Sequence, residues 1–217
     1  RKAFEECIAS LENGEVGFGF SSGVAAISAC VELLSPGDHV IAMNDLYGGT
    51  VRLFNEIKTL SQGIEVTYVD MTTMQNVLEA KTDKTKMIFV ETPTNPLLRV
   101  VDLSAIADFA KSENLLSVCD NTFASPYVQQ PLNYGIDIVL HSATKYLGGH
   151  SDLIAGALVI GKKDDELISK MANIVNSLGP ITGAFGSYLI LRSLKTLAVR
   201  MERHCENALA IARHFES

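Results

Sequence analysis

Short apolar runs of strand length recur along the chain as EVGFGF, HVIAM, IEVTYVD, KMIFVE, LLSVCD, IDIVLH and AGALVIG, and helical segments separate most of them. That alternation is the strongest constraint in the sequence. A strand, a helix and a second strand join as a right-handed crossover, which lays the strands side by side in a largely parallel α/β sheet. Open sheets of this kind place ligands beyond the carboxyl ends of their strands. Function is therefore to be sought in the residues just after each run.

Two such continuations stand out, VCDNT from Val118 to Thr122 and HSATKYLGGHSD from His141 to Asp152. In the second, Lys145 lies among the hydroxyls of Ser142 and Thr144, so its amine can form a Schiff base while the hydroxyls hold an anion. A carboxylate at Asp120 can keep a pyridine nitrogen protonated, which draws electrons from a substrate carbon attached through the imine. Thr122 reaches the ring or its phenolic oxygen. Pyridoxal phosphate has both an aldehyde and a phosphate. Each residue also has a plainer reading: Asp120 as a helix cap or surface ion pair, Lys145 as a solvated charge. A loop after a buried-looking strand predicts partial burial of Lys145 and a lowered amine pKa.

SSGVAAISACVELL is a helix whose first turn opens with Ser and Gly, suited to capping and to close approach of a ligand to free N–H groups. Before it, Phe4, Ile8 and Leu11 mark a helix that stops at Asn13-Gly14. Gly17 and Gly19 fall inside a strand and lack the third glycine of a dinucleotide fingerprint. A nicotinamide reductase would also want a tyrosine where His141 stands. NDLYGGTVRLFNEI is a loop that becomes a helix, which puts Tyr47 on the ligand side as a stacking ring and proton shuttle, or as ordinary packing. Arg52 pairs with a carboxylate substrate or lies on a solvated face. TPTNPLLRV, with two prolines, is a rigid loop at a strand end. SLGPITG breaks the helical last third. His141 and His150 lack a third ligand, and structural hydrogen bonding is expected of them, with no metal.

The net charge of −7, without any Lys/Arg block, argues against nucleic acid and acidic membrane surfaces. The cysteines Cys7, Cys30, Cys119 and Cys205 are scattered, so reduced cytoplasmic thiols are expected rather than zinc or disulfides. No apolar run reaches the roughly 18 residues of a membrane span. No leader opens the chain, and both ends run on in helical spacing, the pattern of a piece of something longer.

SSGVAA, DLYGGT, ETPTNPLL, VCDNTFASPY, HSATKYLGGHSD and LRSLKTLAVRM together resemble the pyridoxal-phosphate enzymes of cysteine and methionine metabolism, among them cystathionine γ-synthase, γ-lyase and β-lyase and methionine γ-lyase. The resemblance covers nearly the whole chain. It implies an aminotransferase-like, fold type I large domain over residues 1–217, with a mostly parallel seven-stranded sheet, in a cytoplasmic homotetramer built from dimers. It implies that Lys145 carries the cofactor, Asp120 binds the ring nitrogen and Tyr47 stacks on the ring. Gly23 and Val24 would hold the phosphate through their backbone, with Ser142 and Thr144, and Thr122 would lie beside the ring. Arg52 and Asn95 would face the amino-acid substrate.

The chemistry implied is β- or γ-elimination, or γ-replacement, on amino acids such as cystathionine or O-acyl-homoserine. The family's N-terminal arm and its C-terminal substrate domain find no match here, which predicts a cofactor domain with weak or no turnover alone. Gly48 and Gly49 stand where bacterial methionine γ-lyases carry a cysteine. TGAFGSYLILRSLKTL leans toward γ-synthases, and NSLG with SPYVQQPL suits γ-lyases. A cofactor-binding module without catalysis is the alternative of another class.

Overall fold

The computed structural model describes residues 1–161 and 164–216. Ser217, which closes the sequence run RMERHCENALAIARHFES, lies outside them. In chain order the elements are α1 (Lys2–Leu11), β1 (Val16–Phe20), α2 (Gly23–Val31), β2 (His39–Met43) and α3 (Gly48–Arg52). A π-helical stretch, Leu53–Lys58, carries α3 into α4 (Thr59–Gln62), followed by β3 (Glu65–Val69), α5 (Met74–Ala80), β4 (Thr85–Glu91), α6 (Leu103–Ser112) and β5 (Leu116–Asp120). Then come α7 (Ser125–Val128), a 3-10 turn (Pro131–Tyr134), β6 (Ile138–His141), β7 (Gly156–Ile160), α8 (Asp165–Leu178), α9 (Ala184–Leu194) and α10 (Leu197–Glu216).

The strands form one seven-stranded sheet in the order β1-β7-β6-β5-β4-β2-β3. β7 runs antiparallel to β1 and β6, and the other pairs are parallel. The mostly parallel α/β sheet expected of the sequence is thus present. Val40–Met43, Met87–Val90 and Val118–Cys119 are wholly buried, as two-sided cover by helices requires. β3, at the edge, alternates between exposed and half-buried residues.

Local chemistry sets the boundaries. Ser22 Oγ accepts the N–H of Ala25 to cap α2, and Asp102 Oδ1 accepts those of Ser104 and Ala105 to cap α6. α1 ends where Asn13 takes a left-handed φ of 58°, and α8 ends at Gly179 with φ 69°. Buried Lys58, on the π-helical stretch, pairs with Glu32, which also accepts from Gln62 at 2.9 Å, so the helical run after β2 is pinned to the end of α2.

A second, smaller core positions the site. Phe4 and Ile8 of α1, Ile190 of α9 and Leu197 and Met201 of α10 pack with Ala143 and Leu147. The loop after β6 is therefore rooted between three helices while its other residues stay at the sheet edge.

Candidate functional site

The carboxyl ends of β2, β4, β5 and β6 and the first turn of α2 enclose a cleft of about 220 Å³. Gly23, Val24, Tyr47, Asn95, Asp120, Thr122, Ser142, Thr144 and Lys145 all line it, so the structure brings together every site residue expected from the sequence except Arg52. Arg52 is exposed on α3 and is not part of the lining.

Asp120 ends β5 and is 6% exposed. Thr122 donates to its Oδ1 twice, from the backbone N–H at 3.0 Å and from Oγ1 at 2.5 Å. Thr122 Oγ1 in turn accepts the N–H of Ser142 at 2.8 Å, which ties the acid to the lysine loop. Burial pushes the Asp120 carboxyl above the ordinary range, while the Thr122 bonds and the charge of His141 pull it back.

The partial burial expected of Lys145 is not found: the residue is exposed. The loop turns back on itself, with Gly148 N–H on Ala143 O and Gly149 N–H on Lys145 O, both at 2.7 Å. Ala143 and Leu147 enter the second core, and Lys145, halfway between them, is left to the cleft. Arg200 clamps this turn. Its guanidinium donates to Tyr146 O at 2.8 Å and to Ser193 O at 3.1 Å, and it lies where a Cβ on Gly149, whose φ is 71°, would meet it at 2.3 Å. Thr144 Oγ1 donates to Ala155 O and accepts Ala155 N–H, so this hydroxyl braces the loop against β7.

The first turn of α2 faces the same cleft. Ser22 engages Ala25 and Ala26, and among the described residues the N–H groups of Gly23 and Val24 at the helix start have no hydrogen-bond partner. A Cβ on Gly23 would lie 2.8 Å from Ser142 Cβ, so only glycine allows this approach.

Sequence reasoning missed Glu91, which ends β4 and is 5% exposed. Its Oε2 accepts Tyr47 N–H at 3.0 Å and its Oε1 accepts Asn95 N–H at 2.8 Å, so one carboxyl holds both the tyrosine loop and the proline-rich loop. Burial first, then the charge of Asp120, lift the Glu91 carboxyl to about 8, against the two amide bonds. An acidic residue closing an otherwise apolar strand was the available signal. The proline-rich loop is further held by Asp45, which accepts from Thr94 Oγ1 and from Leu97 N–H, and its Thr92-Pro93 and Asn95-Pro96 bonds are cis.

Tyr47 is 48% exposed, and its ring folds over Gly49, where a Cβ would meet Cε1 at 2.3 Å. His150 bonds Gly148 O at 2.8 Å and His141 meets Glu12 at 2.6 Å, so both histidines have hydrogen-bond partners. Among the described residues no group of three or more His, Cys, Asp or Glu could hold a metal, and the four cysteines are unbridged. No described helix is long and apolar enough to cross a membrane.

An exposed amine, a buried acid in the same cleft, a flat aromatic at its rim and a cluster of N–H and hydroxyl donors fit an aldehyde that also bears a basic ring nitrogen and a phosphate. Comparison with known proteins agrees. Residues 1–217 match the model of the Cys/Met metabolism PLP-dependent enzyme family. The chain is 51% identical over 216 residues to cystathionine beta-lyase of Coxiella burnetii, covering 100% of this chain and 56% of that protein. It is 47% identical to cystathionine gamma-lyase of Dictyostelium discoideum, covering 100% and 55%. A crystal structure of cystathionine gamma-lyase from Lactobacillus plantarum complexed with L-serine superposes with a TM-score of 0.96 at 48% identity, over 99% of this chain and 56% of the other. The chain thus spans a little over half the length of these relatives.

Proposed function

The chain belongs to the Cys/Met metabolism PLP-dependent enzymes, and from that premise we propose that it forms the cofactor-binding part of a transsulfuration enzyme acting on sulfur amino acids. The observation that carries the proposal is the placement of buried Asp120 and exposed Lys145 in one cleft beside the start of α2.

In this reading Lys145 holds the cofactor's aldehyde and Asp120 its ring nitrogen, with Thr122 beside the ring and Tyr47 stacked on it. The N–H groups of Gly23 and Val24 take the phosphate together with the hydroxyl of Ser142, and Thr144 contributes through the loop it braces. When bound, pyridoxal phosphate supplies an electron sink for the substrate carbon next to the amine. The protein's own work is positional and protonic. Asp120, kept dry, holds a proton on the ring nitrogen. Lys145, facing the cleft, carries protons between substrate carbons, and Tyr47 is placed to share that task. Asn95, fixed through its N–H by Glu91, and Arg52 are proposed to face the substrate.

The substrates proposed are cystathionine or an O-acyl-homoserine, in β- or γ-elimination or γ-replacement. The γ-synthase or γ-lyase reading stands first, supported by the loop motifs. A β-lyase is the second, favoured by the 51% identity to the Coxiella protein. Gly48 and Gly49 after Tyr47 place methionine γ-lyase lower. A cofactor-binding module without turnover is the reading of another class. Assembly as a homotetramer is supported by the resemblance and by the exposed Phe185 (74%) and Tyr188 (60%) of α9, and a cytoplasmic setting by the unbridged thiols.

The test is to load the full-length protein with pyridoxal phosphate and supply cystathionine, or an O-acyl-homoserine with cysteine. A four-carbon oxo acid marks γ-cleavage, a three-carbon one β-cleavage, and new cystathionine marks synthesis. Cofactor binding without any product favours the inactive module, and absence of binding overturns the proposal.

A further inference from the structure

Glu12 follows the last residue of α1, where a carboxylate is normally solvated, yet it is 0% exposed. Its Oε1 lies 2.6 Å from His141 Nε2, and His141 is itself 1% exposed. Asn121 Nδ2 donates to the same oxygen at 2.9 Å. The remaining atoms of the pair, Glu12 Oε2 and His141 Nδ1, are buried and have no hydrogen-bond partner among the described residues. A tie between a helix and a strand does not need ionisable groups with half their hydrogen-bonding capacity unmet. Both partners of Glu12 are also one residue from the cleft: Asn121 follows Asp120 and His141 precedes Ser142. Asp120 pairs in register with Leu140, so His141, one residue on, faces the other side of the sheet together with Asn121 and acts on Asp120 through space rather than by contact.

We propose that Glu12 and His141 form a buried carboxylate–imidazolium pair that keeps Asp120 ionised, so that His141 is a positioning residue for the proton on the cofactor's ring nitrogen and Glu12 the anchor of its charge. The inference rests on the role proposed for Asp120 at the ring nitrogen. A buried acid opposite a dry ring has two places for one proton, and an adjacent cation decides between them. With His141 charged, the signs alternate from Glu12 through His141 and Asp120 to the ring nitrogen, and the row is neutral in total. With His141 uncharged, burial favours the proton on Asp120 and leaves the ring nitrogen bare. Against its burial, the Asp120 carboxyl is drawn down by the two Thr122 bonds first and by the charge of His141 after them. Among the described residues the other titratable groups buried beside Asp120 supply no cation: Glu91 is an acid, and burial pushes the Cys30 and Cys119 thiols up, which keeps them neutral. Lys145 lines the same cleft but is exposed and, in the proposed reading, holds the aldehyde. Sequence reasoning could not pair Glu12 with His141, 129 positions apart.

The experiment uses the full-length protein in two forms. Without cofactor, nitrogen-15 NMR of labelled histidine reads His141 directly, and both ring nitrogens are expected to be protonated at neutral pH. With nitrogen-15-labelled pyridoxal phosphate, the ring nitrogen is expected to stay protonated in the wild type and to lose its proton about one to two pH units lower in Glu12→Gln and in His141→Gln. Both variants can still hydrogen-bond, so a purely structural tie would lower thermal stability and leave the ring nitrogen unmoved. A neutral His141 in the wild type would overturn the inference, as would variants that load cofactor with an unshifted ring nitrogen. The histidine spectrum needs no variant to fold. It needs no cofactor either, so failure to load pyridoxal phosphate counts against the reading of the cleft and is told apart from failure of the pair.

Discussion

Glu91 and Asp120 end adjacent parallel strands in register, which places two buried carboxyls side by side at the floor of the cleft. Each has its acidity weakened by burial, and the charge of Asp120 weakens that of Glu91 further. They nevertheless face different partners. Asp120 receives the Thr122 hydroxyl and amide, whereas Glu91 receives the amides of Tyr47 and Asn95. The pair separates the tasks of meeting the ring and fixing the loops around it.

That pairing predicts a pH dependence of stability in the cofactor-free protein. Glu91 gives up its proton at about 8 when folded, against 4.5 as its reference value. Between those values the native state binds more protons than the unfolded chain, so stability falls as pH rises through the window. Glu91→Gln is expected to flatten this slope, which amounts to a few kcal/mol at most. Urea unfolding at pH 5 and pH 8.5 reads it, and equal slopes in both proteins would contradict the assignment.

Glycines 48 and 49 separate packing from conformation. A Cβ at Gly49 would strike the Tyr47 ring, whereas one at Gly48 meets nothing within 4 Å. Gly49→Ala is expected to turn the ring away and weaken pyridoxal phosphate binding by about 1–2 kcal/mol, as overpacking does. Gly48→Ala is expected to leave binding unchanged and to add up to about 1 kcal/mol of helix stability. Titration of the cofactor absorbance distinguishes them, and equal effects would sink the steric account.

Asp120→Asn keeps the shape of the acid without its charge. The variant is expected to retain bound cofactor and to lose turnover in the full-length enzyme by several kcal/mol, on the order of a thousand-fold, because the ring proton loses its counter-charge. A turnover close to wild type would remove Asp120 from that role.

Arg200 reaches from α10 to the carbonyls of Tyr146 and Ser193. Arg200→Ala should cost about 1–3 kcal/mol, as for bonds from a charged group, and loosen the lysine loop in particular. Hydrogen exchange at the amides of Gly148 and Gly149 is the readout. Protection equal to wild type there would show that the second core holds the loop unaided.

Much of the cleft was legible because strand-length apolar runs end at recognisable residues. The exits of β5 and β6 located Asp120 and Lys145, and Ser22 with Gly23 located the helix start. Lateral order was not legible, since β7 inserts antiparallel between β1 and β6 and alternation of elements says nothing about insertion. For the same reason Glu91 passed as a strand end and Glu12 as part of a helix stop: Tyr47 reaches Glu91 from beyond β2, and Glu12 meets His141 at the end of β6 and Asn121 just after β5. Lys145 was expected to be partly buried because its loop follows a buried-looking strand, but the loop sends Ala143 and Leu147 inward and leaves the lysine exposed.

The central claim is that Lys145 is the amine that takes the cofactor. Borohydride treatment of the yellow, cofactor-loaded protein, followed by peptide mass mapping, should place the pyridoxyl label on Lys145, and Lys145→Ala should load no yellow colour. A label on another lysine, or a variant that stays yellow, would contradict the account.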